Sequence, residues 1–278
     1  MGFDPKAHKY ESRFADAGGI KTHYIEAGRG EAVVLVHGGG PGADGLGNWY
    51  STIPLLAERN RVIAVDMLGF GKTEKPDAKS FTYTQDARTN HLIAFVEALG
   101  LPSVSLVGNS MGGITSLATT IRKPELVKRL VLMGSAGIQS VGIPAALGPL
   151  MAYDGTEEAM KKVVRALTHP EFAMDDGMVR YRVEMSNSPG TREALGATMG
   201  WVKSQGGLWL DESDIRKVTA PTLIVGGKND PIVTLDNNVK FLELIEHSWG
   251  YFIPRTGHWV MIERPAEFAA VTGRFLAS

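Results

Sequence analysis

A single serine stands among glycines at residues 108–112, which read Gly-Asn-Ser-Met-Gly and follow an apolar run that ends at Val107. This Gly-x-Ser-x-Gly pattern is typical of a sharp strand-to-helix turn that exposes a nucleophilic hydroxyl, because only small neighbours fit so tight a turn. Glycines also allow a helix to pack close to a sheet, so the pentapeptide has a packing explanation as well. Ser110 is therefore a candidate nucleophile that needs support from the rest of the chain.

A base and an acid follow this serine at suitable positions. A serine hydroxyl is a weak nucleophile and needs a base that is itself oriented by an acid, and after such a turn the acid precedes the histidine along the chain. Asp230 lies in a turn just after the apolar run that ends at Val225, and His258 follows the run that ends at Ile253. Both positions follow the carboxyl ends of predicted strands, where open α/β sheets place their sites. Order, spacing and position predict a Ser110–Asp230–His258 triad.

Other histidines and one aspartate lack this placement. Surface or helix-capping positions are expected for His23, His91, His169 and His247. His37 precedes a glycine run and is expected to shape that loop rather than to transfer protons. Asp66 ends a strand before the serine, so it is expected to bond the backbone of the turn that contains Gly69 and Gly71.

Acyl chemistry builds negative charge on the attacked oxygen, and preorganised backbone N–H groups stabilise it by roughly 3–4 kcal/mol each. One donor is expected at Met111, directly after the serine. The second is expected at Gly39 or Gly40, after the first parallel strand, because a glycine N–H can point inward without a Cβ clash.

Two glycine motifs resemble nucleotide-binding loops. Residues 40–45 read Gly-x-Gly-x-x-Gly, and Asp66 closes the next strand. Pro41 lies inside that turn, however, and residues 45–48 are expected to prolong the loop, so helix N–H groups would come too late to cradle a pyrophosphate. Residues 69–73, Gly-Phe-Gly-Lys-Thr, end like a phosphate-binding loop, but Asp66 occupies the required upstream glycine position.

The elements that must position these residues alternate along the chain. Two short strands around Gly18 and Gly19 are predicted within residues 14–28. Apolar runs predict further strands at residues 32–36, 61–65, 104–107, 129–133, 222–225 and 250–253, and helical patterns cover residues 86–99, 110–122, 235–246 and 266–276. Runs that are apolar on both faces indicate parallel strands covered by helices on each side, so we predict an α/β fold with a mostly parallel, doubly wound sheet.

The alternation breaks between about residues 137 and 207, where methionines recur in short helical patterns and no strand is predicted. This stretch is too apolar to be a linker. Its position after strand six, beside the carboxyl ends of the strands, favours a helical cap over extra helices that complete the core. The predicted organisation is a core domain of residues 1–137 and 208–278 with a helical cap, or lid, of residues 138–207.

Composition narrows the class of protein. The 278 residues are 44% hydrophobic and 21% charged, and the net charge of −1 gives no electrostatic footprint for nucleic acid or an anionic membrane. The absence of cysteine excludes disulfides, thiol nucleophiles and cysteine-ligated metals, and it fits a reducing compartment. The polar first residues predict no secretory signal, and no apolar run approaches the roughly 18 residues of a membrane span. A cytoplasmic protein is expected.

With these residues in place, the chain resembles the α/β-hydrolases, and among them the meta-cleavage product hydrolases of bacterial aromatic degradation. The resemblance covers almost the whole chain. It rests on HGGGPGA at residues 37–43, DMLGFGKT at 66–73, GNSMGG at 108–113, LVLMGSAG at 130–137, QGGL at 205–208 and GHWVMIE at 257–263. It implies hydrolysis of a carbon–carbon bond in small-molecule 2-hydroxy-6-oxohexa-2,4-dienoates, with no metal or organic cofactor, by a homo-oligomer.

The resemblance also implies residue roles. Ser110, Asp230 and His258 would form the triad, Gly39 and Met111 the oxyanion hole, and Gly40, Asn48, Asn109, Arg182 and Trp259 the pocket for the C1 carboxylate and 2-oxo end. The family pattern selects Arg182 over Arg180 as the arginine that binds the carboxylate. The alternative interpretation is that either arginine is a solvated charge on the surface of the cap.

The implied chemistry begins with conversion of the dienol to its keto tautomer by protonation at C5, which a cation at the 2-oxo end favours. His258 would shuttle that proton and activate either Ser110 or a water for attack at the C6 carbonyl, which leads to 2-hydroxypenta-2,4-dienoate and a carboxylic acid. An acyl-enzyme or a gem-diol route, and an aryl or alkyl C6 group, remain open at this point. The alternatives are a carboxylesterase of the same fold and a ligand receptor that retains the triad, whereas hydrolases with an aspartate nucleophile are disfavoured by the serine.

Overall fold

One mixed sheet forms the centre of the molecule. A computed structural model describes residue 3, residues 10–139 and residues 144–278. The described strands are β1 (Ser12–Asp16), β2 (Lys21–Ala27), β3 (Ala32–Val36), β4 (Arg61–Val65), β5 (Val104–Asn109), β6 (Val127–Met133), β7 (Thr222–Gly227) and β8 (Ser248–Ile253). Their order is β1-β2-β4-β3-β5-β6-β7-β8, with β2 antiparallel to both neighbours and parallel pairing from β4 to β8. The predicted strands and the mostly parallel α/β sheet are confirmed.

Helices cover the sheet and follow its carboxyl edge. They are α1 (Gly45–Trp49), α2 (Ile53–Leu56), α3 (Gln85–Ala98), α4 (Met111–Arg122), α5 (Gly148–Met151), α6 (Glu157–Leu167), α7 (Asp176–Ser186), α8 (Thr191–Ser204), α9 (Glu212–Ile215), α10 (Leu235–Leu244), α11 (Val260–Glu263) and α12 (Pro265–Leu276). The four predicted helices correspond to α3, α4, α10 and α12. Ser110 precedes α4 instead of opening it, because its backbone is not helical.

Alternate residues of each central strand enter different cores, as a sheet covered on both faces requires. In β3, Val33 and Leu35 belong to the core that contains Trp49 of α1 and Phe268 of α12. Val34 and Val36 belong to the opposite core, with Phe95, Leu117 and Phe241 of α3, α4 and α10. The sheet is therefore fixed from both sides, and its carboxyl edge is a rigid base for the loops that leave it.

Helices α5 to α8 lie in the insertion between β6 and β7. In α6, Met160, Val163, Val164 and Leu167 are buried at helical spacing and join the same core as α1 and α12. The start and the end of the insertion meet, because the amide of Gly137 donates to Leu208 O at 3.1 Å and the amide of Leu210 donates to Gly137 O at 3.0 Å. None of the helices described is long and apolar enough to cross a membrane.

Two local expectations are wrong. The helix after the glycine motif begins at the motif's third glycine, Gly45, because the Asp44 carboxylate accepts from Gly47 N at 2.6 Å and caps it. The N-terminal amides of Gly45 and Gly47 nevertheless bind protein carboxylates. Gly45 N donates to Asp66 Oδ1 at 2.8 Å, and Gly47 N donates to Asp44. Because two of the first three amides of the helix already bind carboxylates, a pyrophosphate could not use them, and the nucleotide-binding interpretation fails for a different reason.

His23 and His91 are buried rather than superficial, because β2 lies inside the sheet and α3 packs on it. His23 Nδ1 pairs with Asp66 Oδ2 at 2.7 Å, and His91 Nε2 lies 2.7 Å from Thr22 Oγ1. His247 is exposed, as expected.

Candidate active site

The strand-to-helix turn at Ser110 is strained. Ser110 has φ 54° and ψ −115°, and only Arg255 shares a positive φ among the described non-glycine residues. A Cβ at Gly112 would lie 2.2 Å from Val36 O, and one at Gly108 would lie 2.5 Å from Gly112 O. Glycine is therefore required on both sides of the serine, and the close packing holds Ser110 in a backbone conformation that L-residues rarely adopt.

The predicted base and acid meet across two loops. Asp230 Oδ2 lies 2.7 Å from His258 Nδ1, and both side chains are buried. Asp230 Oδ1 accepts from the amides of Ile232 and Val233 at 2.8 and 2.9 Å, so the carboxylate cannot rotate away from the imidazole. With Nδ1 bound to the carboxylate, Nε2 is the nitrogen left to exchange a proton. Ser110 and His258 line the same pocket.

The oxyanion donors predicted beside Ser110 lie next to each other. A Cβ on Gly39 would be 2.6 Å from Met111 Cε and 3.4 Å from Met111 Cβ, so the two residues are in close contact. Neither the Gly39 nor the Met111 amide has a partner among the described residues.

His37 fixes the loop before these donors. Its Nδ1 donates to Gly38 O at 2.7 Å, and its Nε2 accepts from Met67 N at 2.9 Å. Complete burial lowers the pKa of His37 to about 4, so the ring stays neutral and keeps both bonds. The expectation that His37 shapes the loop is confirmed. Asp66 also bonds the backbone of the turn as expected, although its partner within the turn is Lys72 N at 2.8 Å rather than Gly69 or Gly71.

A small pocket of about 30 Å³ lies beside Ser110. The pocket collects the predicted site residues Gly39, Gly40, Asn48, Asn109, Arg182 and Trp259 around Ser110 and His258. Asn109 Oδ1 has no hydrogen-bond partner within the described ranges.

Arg182 is the cation of this pocket. Its side chain is 1% exposed and its guanidinium carbon lies 4.2 Å from the centre of the Trp259 ring. Nη2 donates to Asn48 Oδ1 at 2.9 Å and to Gly47 O at 3.3 Å, while Nε has no partner in the part of the chain described. Burial lowers the pKa of Arg182 to about 10, which still leaves it charged at neutral pH. Arg180 on the same helix is exposed.

An apolar cavity of about 170 Å³ also borders Ser110. Half of the residues that line it belong to the insertion of residues 138–207, including Ile138, Leu147, Leu150, Leu195, Met199 and Val202. Gly39, Gly40 and Ser110 line both spaces. The arrangement can hold a molecule with an anionic end and an apolar end, with the serine at its middle.

Sequence reasoning missed Asp44 and Tyr181. The Tyr181 hydroxyl donates to Asp44 Oδ2, next to the Arg182 contact with Asn48. Burial, and then the nearby Asp66 carboxylate, raises the pKa of Asp44 to about 7. An aspartate before a helix predicts a cap, but no sequence signal shows its partner 137 residues away. Within the described ranges, no cluster of histidine, aspartate and glutamate could hold a metal ion.

Known proteins share this architecture. A family model described as the alpha/beta hydrolase fold matches residues 31–265. The chain is 51% identical to a 2-hydroxy-6-oxo-6-(2'-aminophenyl)hexa-2,4-dienoic acid hydrolase of Metapseudomonas resinovorans, over 96% of this chain and 91% of that protein. It is 36% identical to a 2-hydroxy-6-oxo-2,4-heptadienoate hydrolase of Pseudomonas putida, over 96% of each. The solved structure of CarC, a serine hydrolase involved in carbazole degradation, is similar with a TM-score of 0.89 and 49% identity, over 96% of this chain and 99% of that one.

Proposed function

Because this chain belongs to the α/β-hydrolases, and within them to the meta-cleavage product hydrolases, we propose how its residues cleave a 2-hydroxy-6-oxohexa-2,4-dienoate. The enzyme hydrolyses the carbon–carbon bond between C5 and C6. One water is consumed, and 2-hydroxypenta-2,4-dienoate and a carboxylic acid are released. The observation that carries the assignment of roles is that Ser110 borders both a small pocket that contains Arg182 and a larger apolar cavity.

The anionic end of the substrate binds at Arg182. A carboxylate buried away from water needs a paired cation, and a guanidinium can grip a carboxylate and a 2-oxo oxygen together because its donors form a planar fork. The bond to Asn48 and the Trp259 ring hold the guanidinium in place. Asn109 and Gly40 complete the pocket at this end of the substrate.

Tautomerisation precedes cleavage. The 2-hydroxyl loses its proton, electrons move along the diene, and C5 gains a proton, which gives the 2,6-diketo form. Arg182 favours this shift because it stabilises negative charge that develops at the 2-oxo oxygen. His258, oriented by Asp230, shuttles the proton through Nε2.

Hydrolysis follows at the C6 carbonyl. His258 removes a proton from the Ser110 hydroxyl or from a water, and that oxygen attacks C6. The amides of Gly39 and Met111 stabilise the oxyanion. The C5–C6 bond then breaks, and its electron pair is delocalised into the 2-oxo system beside Arg182, which regenerates a dienol after proton transfer. If a water attacked, the carboxylic acid is formed in this step. If Ser110 attacked, its acyl ester is hydrolysed by a water that His258 deprotonates, which releases the carboxylic acid and restores the serine.

The insertion of residues 138–207 acts as the cap and supplies half of the residues that line the apolar cavity. Because this wall is built of leucine, isoleucine, valine and methionine, we assign the cavity to the C6 substituent and propose an aryl group there. The name of the 51% identical relative, an aminophenyl-dienoate hydrolase, supports this choice. By family resemblance, we also propose that the chain works in the cytoplasm as a homo-oligomer.

Turnover of a dienoate series tests the proposal. We expect the loss of visible absorbance to be faster, by kcat/KM, with a 6-phenyl or 6-(2-aminophenyl) dienoate than with the 6-methyl compound. A p-nitrophenyl ester should be a poor substrate. Preference for the ester would favour a carboxylesterase, tight binding without turnover would favour a receptor, and preference for the methyl compound would overturn the aryl assignment.

A further inference from the structure

Asp44 and Tyr181 form a buried connection between the core and the insertion that the proposed mechanism does not use. Asp44 is 3% exposed and lies directly before α1, whereas Tyr181 lies in α7. The two carboxylate oxygens have different partners, because Oδ1 accepts from Gly47 N at 2.6 Å and Oδ2 accepts from the Tyr181 hydroxyl. A single side chain therefore caps α1 and binds α7 at the same time.

This connection lies next to the contacts that orient Arg182. Arg182 follows Tyr181 in α7, and it donates to Gly47 O and to Asn48 Oδ1, both in the helix that Asp44 caps. Two consecutive residues of α7 thus bind the first turn of α1. The backbones also meet closely, since a Cβ at Gly42 would lie 2.1 Å from Arg182 O.

The partners of Arg182 in this region are uncharged. Its hydrogen bonds go to an amide and a carbonyl, and it forms no ion pair with a carboxylate in the described ranges. The Asp44 carboxylate is near enough to act on the Arg182 charge but binds Tyr181 instead. The guanidinium is thereby held without being neutralised by direct contact, which is the state that an incoming carboxylate requires.

We propose that Asp44 is a positioning residue for the substrate-binding arginine, and that it acts through the Tyr181 hydroxyl, which fixes α7 on α1. The inference rests on the proposed role of Arg182 as the carboxylate clamp. The side chain of Asp44 does not need to touch the substrate. Its effect should be confined to substrates that bring a carboxylate to the clamp.

Three substitutions separate positioning from helix capping. Tyr181→Phe removes the connecting hydroxyl. Asp44→Ser keeps a cap for Gly47 N but is too short to reach Tyr181. Asp44→Asn keeps both contacts, because its oxygen can accept from Gly47 N and its NH2 can donate to the Tyr181 oxygen. Thr156→Ala is the control, since Thr156 is exposed and does not line the pocket of Arg182, and the substitution removes the bond from Ala159 N, at 3.2 Å, that caps α6 in the same insertion.

Kinetics on the intact enzyme provide the test. For Tyr181→Phe and Asp44→Ser we expect kcat/KM for the 6-phenyl dienoate to fall by about tenfold, the scale of one lost hydrogen bond to a charged group. Inhibition by 2-hydroxypenta-2,4-dienoate should weaken in parallel, and hydrolysis of a neutral p-nitrophenyl ester should not change. Asp44→Asn should retain wild-type dienoate turnover. The Tyr181→Phe/Asp44→Ser double variant should have the same kcat/KM for the dienoate as either single variant.

Unchanged dienoate kinetics in Tyr181→Phe would overturn the inference, as would equal losses on ester and dienoate or a loss in Thr156→Ala of the same size. Failure of the proposed function gives a different result, because the wild-type enzyme would then not turn over the dienoate or be inhibited by the dienoate product. Thermal unfolding of each variant separates a weakened clamp from an unfolded insertion.

Discussion

Replacement of Arg182 by glutamine should separate dienoate hydrolysis from ester hydrolysis in one variant. The guanidinium is buried, bonded to Asn48 Oδ1 at 2.9 Å and stacked 4.2 Å from the centre of the Trp259 ring. Removing one partner of a buried ion pair costs about 3–5 kcal/mol. A glutamine amide recovers about 1 kcal/mol of this through a neutral hydrogen bond. The net loss of about 2–4 kcal/mol corresponds to roughly 30- to 1000-fold in kcat/KM.

The assay compares two substrates and two arginines. Turnover of a 6-phenyl dienoate, followed by its visible absorbance, should fall by that factor, while hydrolysis of a neutral p-nitrophenyl ester should barely change because the ester brings no carboxylate. Arg180→Gln is the matched control, since Arg180 lies on the same helix but is exposed, and both rates should stay at the wild-type level. Equal losses on both substrates would mean that Arg182 supports the fold of the insertion. A dienoate defect in Arg180→Gln alone would refute the assignment of the clamp.

The remaining predictions concern the triad and the buried histidines. Ser110→Ala should reduce product formation by several orders of magnitude and leave the circular dichroism spectrum and product binding unchanged; near wild-type kcat would contradict the triad. In stopped-flow traces, His258→Ala should slow both the early spectral change of ketonisation and the formation of product. Unchanged ketonisation would restrict the role of His258 to the hydrolysis step at C6. Burial lowers the pKa values of His37 and His91 from 6.5 to about 4. Below about pH 6.5 the unfolded chain therefore binds more protons than the folded protein. The free energy of unfolding should decrease as the pH falls from about 6.5 to 4, by up to about 3 kcal/mol for each histidine. Urea titrations should show a shallower pH dependence for His91→Gln but not for the exposed control His247→Gln; identical slopes would refute the assignment to His91.

Local chemistry made the nucleophile turn predictable. A serine can occupy a positive φ between a strand and a helix only where its neighbours are nearly free of side-chain atoms, so the glycines around Ser110 reveal the turn. Asp230 and His258 were also predictable, because parallel strands bring their following loops to one edge of the sheet whatever lies between them in sequence. The same reasoning located Gly39 and Met111.

Burial was not predictable at positions where local patterns are ambiguous. His23 lies in a hairpin strand that looks peripheral, yet the sheet order places that strand between β1 and β4 and buries the ring beside Asp66. The helix that begins at Gly45 was missed because glycines disfavour helices, whereas two carboxylates supplied from outside the helix satisfy its first amides.

The sequence by itself determined which side chains are capable of the chemistry and which loops carry them, because strand periodicity and glycine placement are local properties. The family pattern favoured Arg182 over Arg180, but local sequence did not, since residues two apart on a helix point in different directions. The tertiary structure showed that Arg182 is the buried one. It also decided that Asp44 binds Tyr181, because a contact between residues 137 positions apart depends on how the insertion packs on the first turn of α1. Packing of that kind depends on many weak contacts summed over both surfaces, and no short stretch of sequence records the sum.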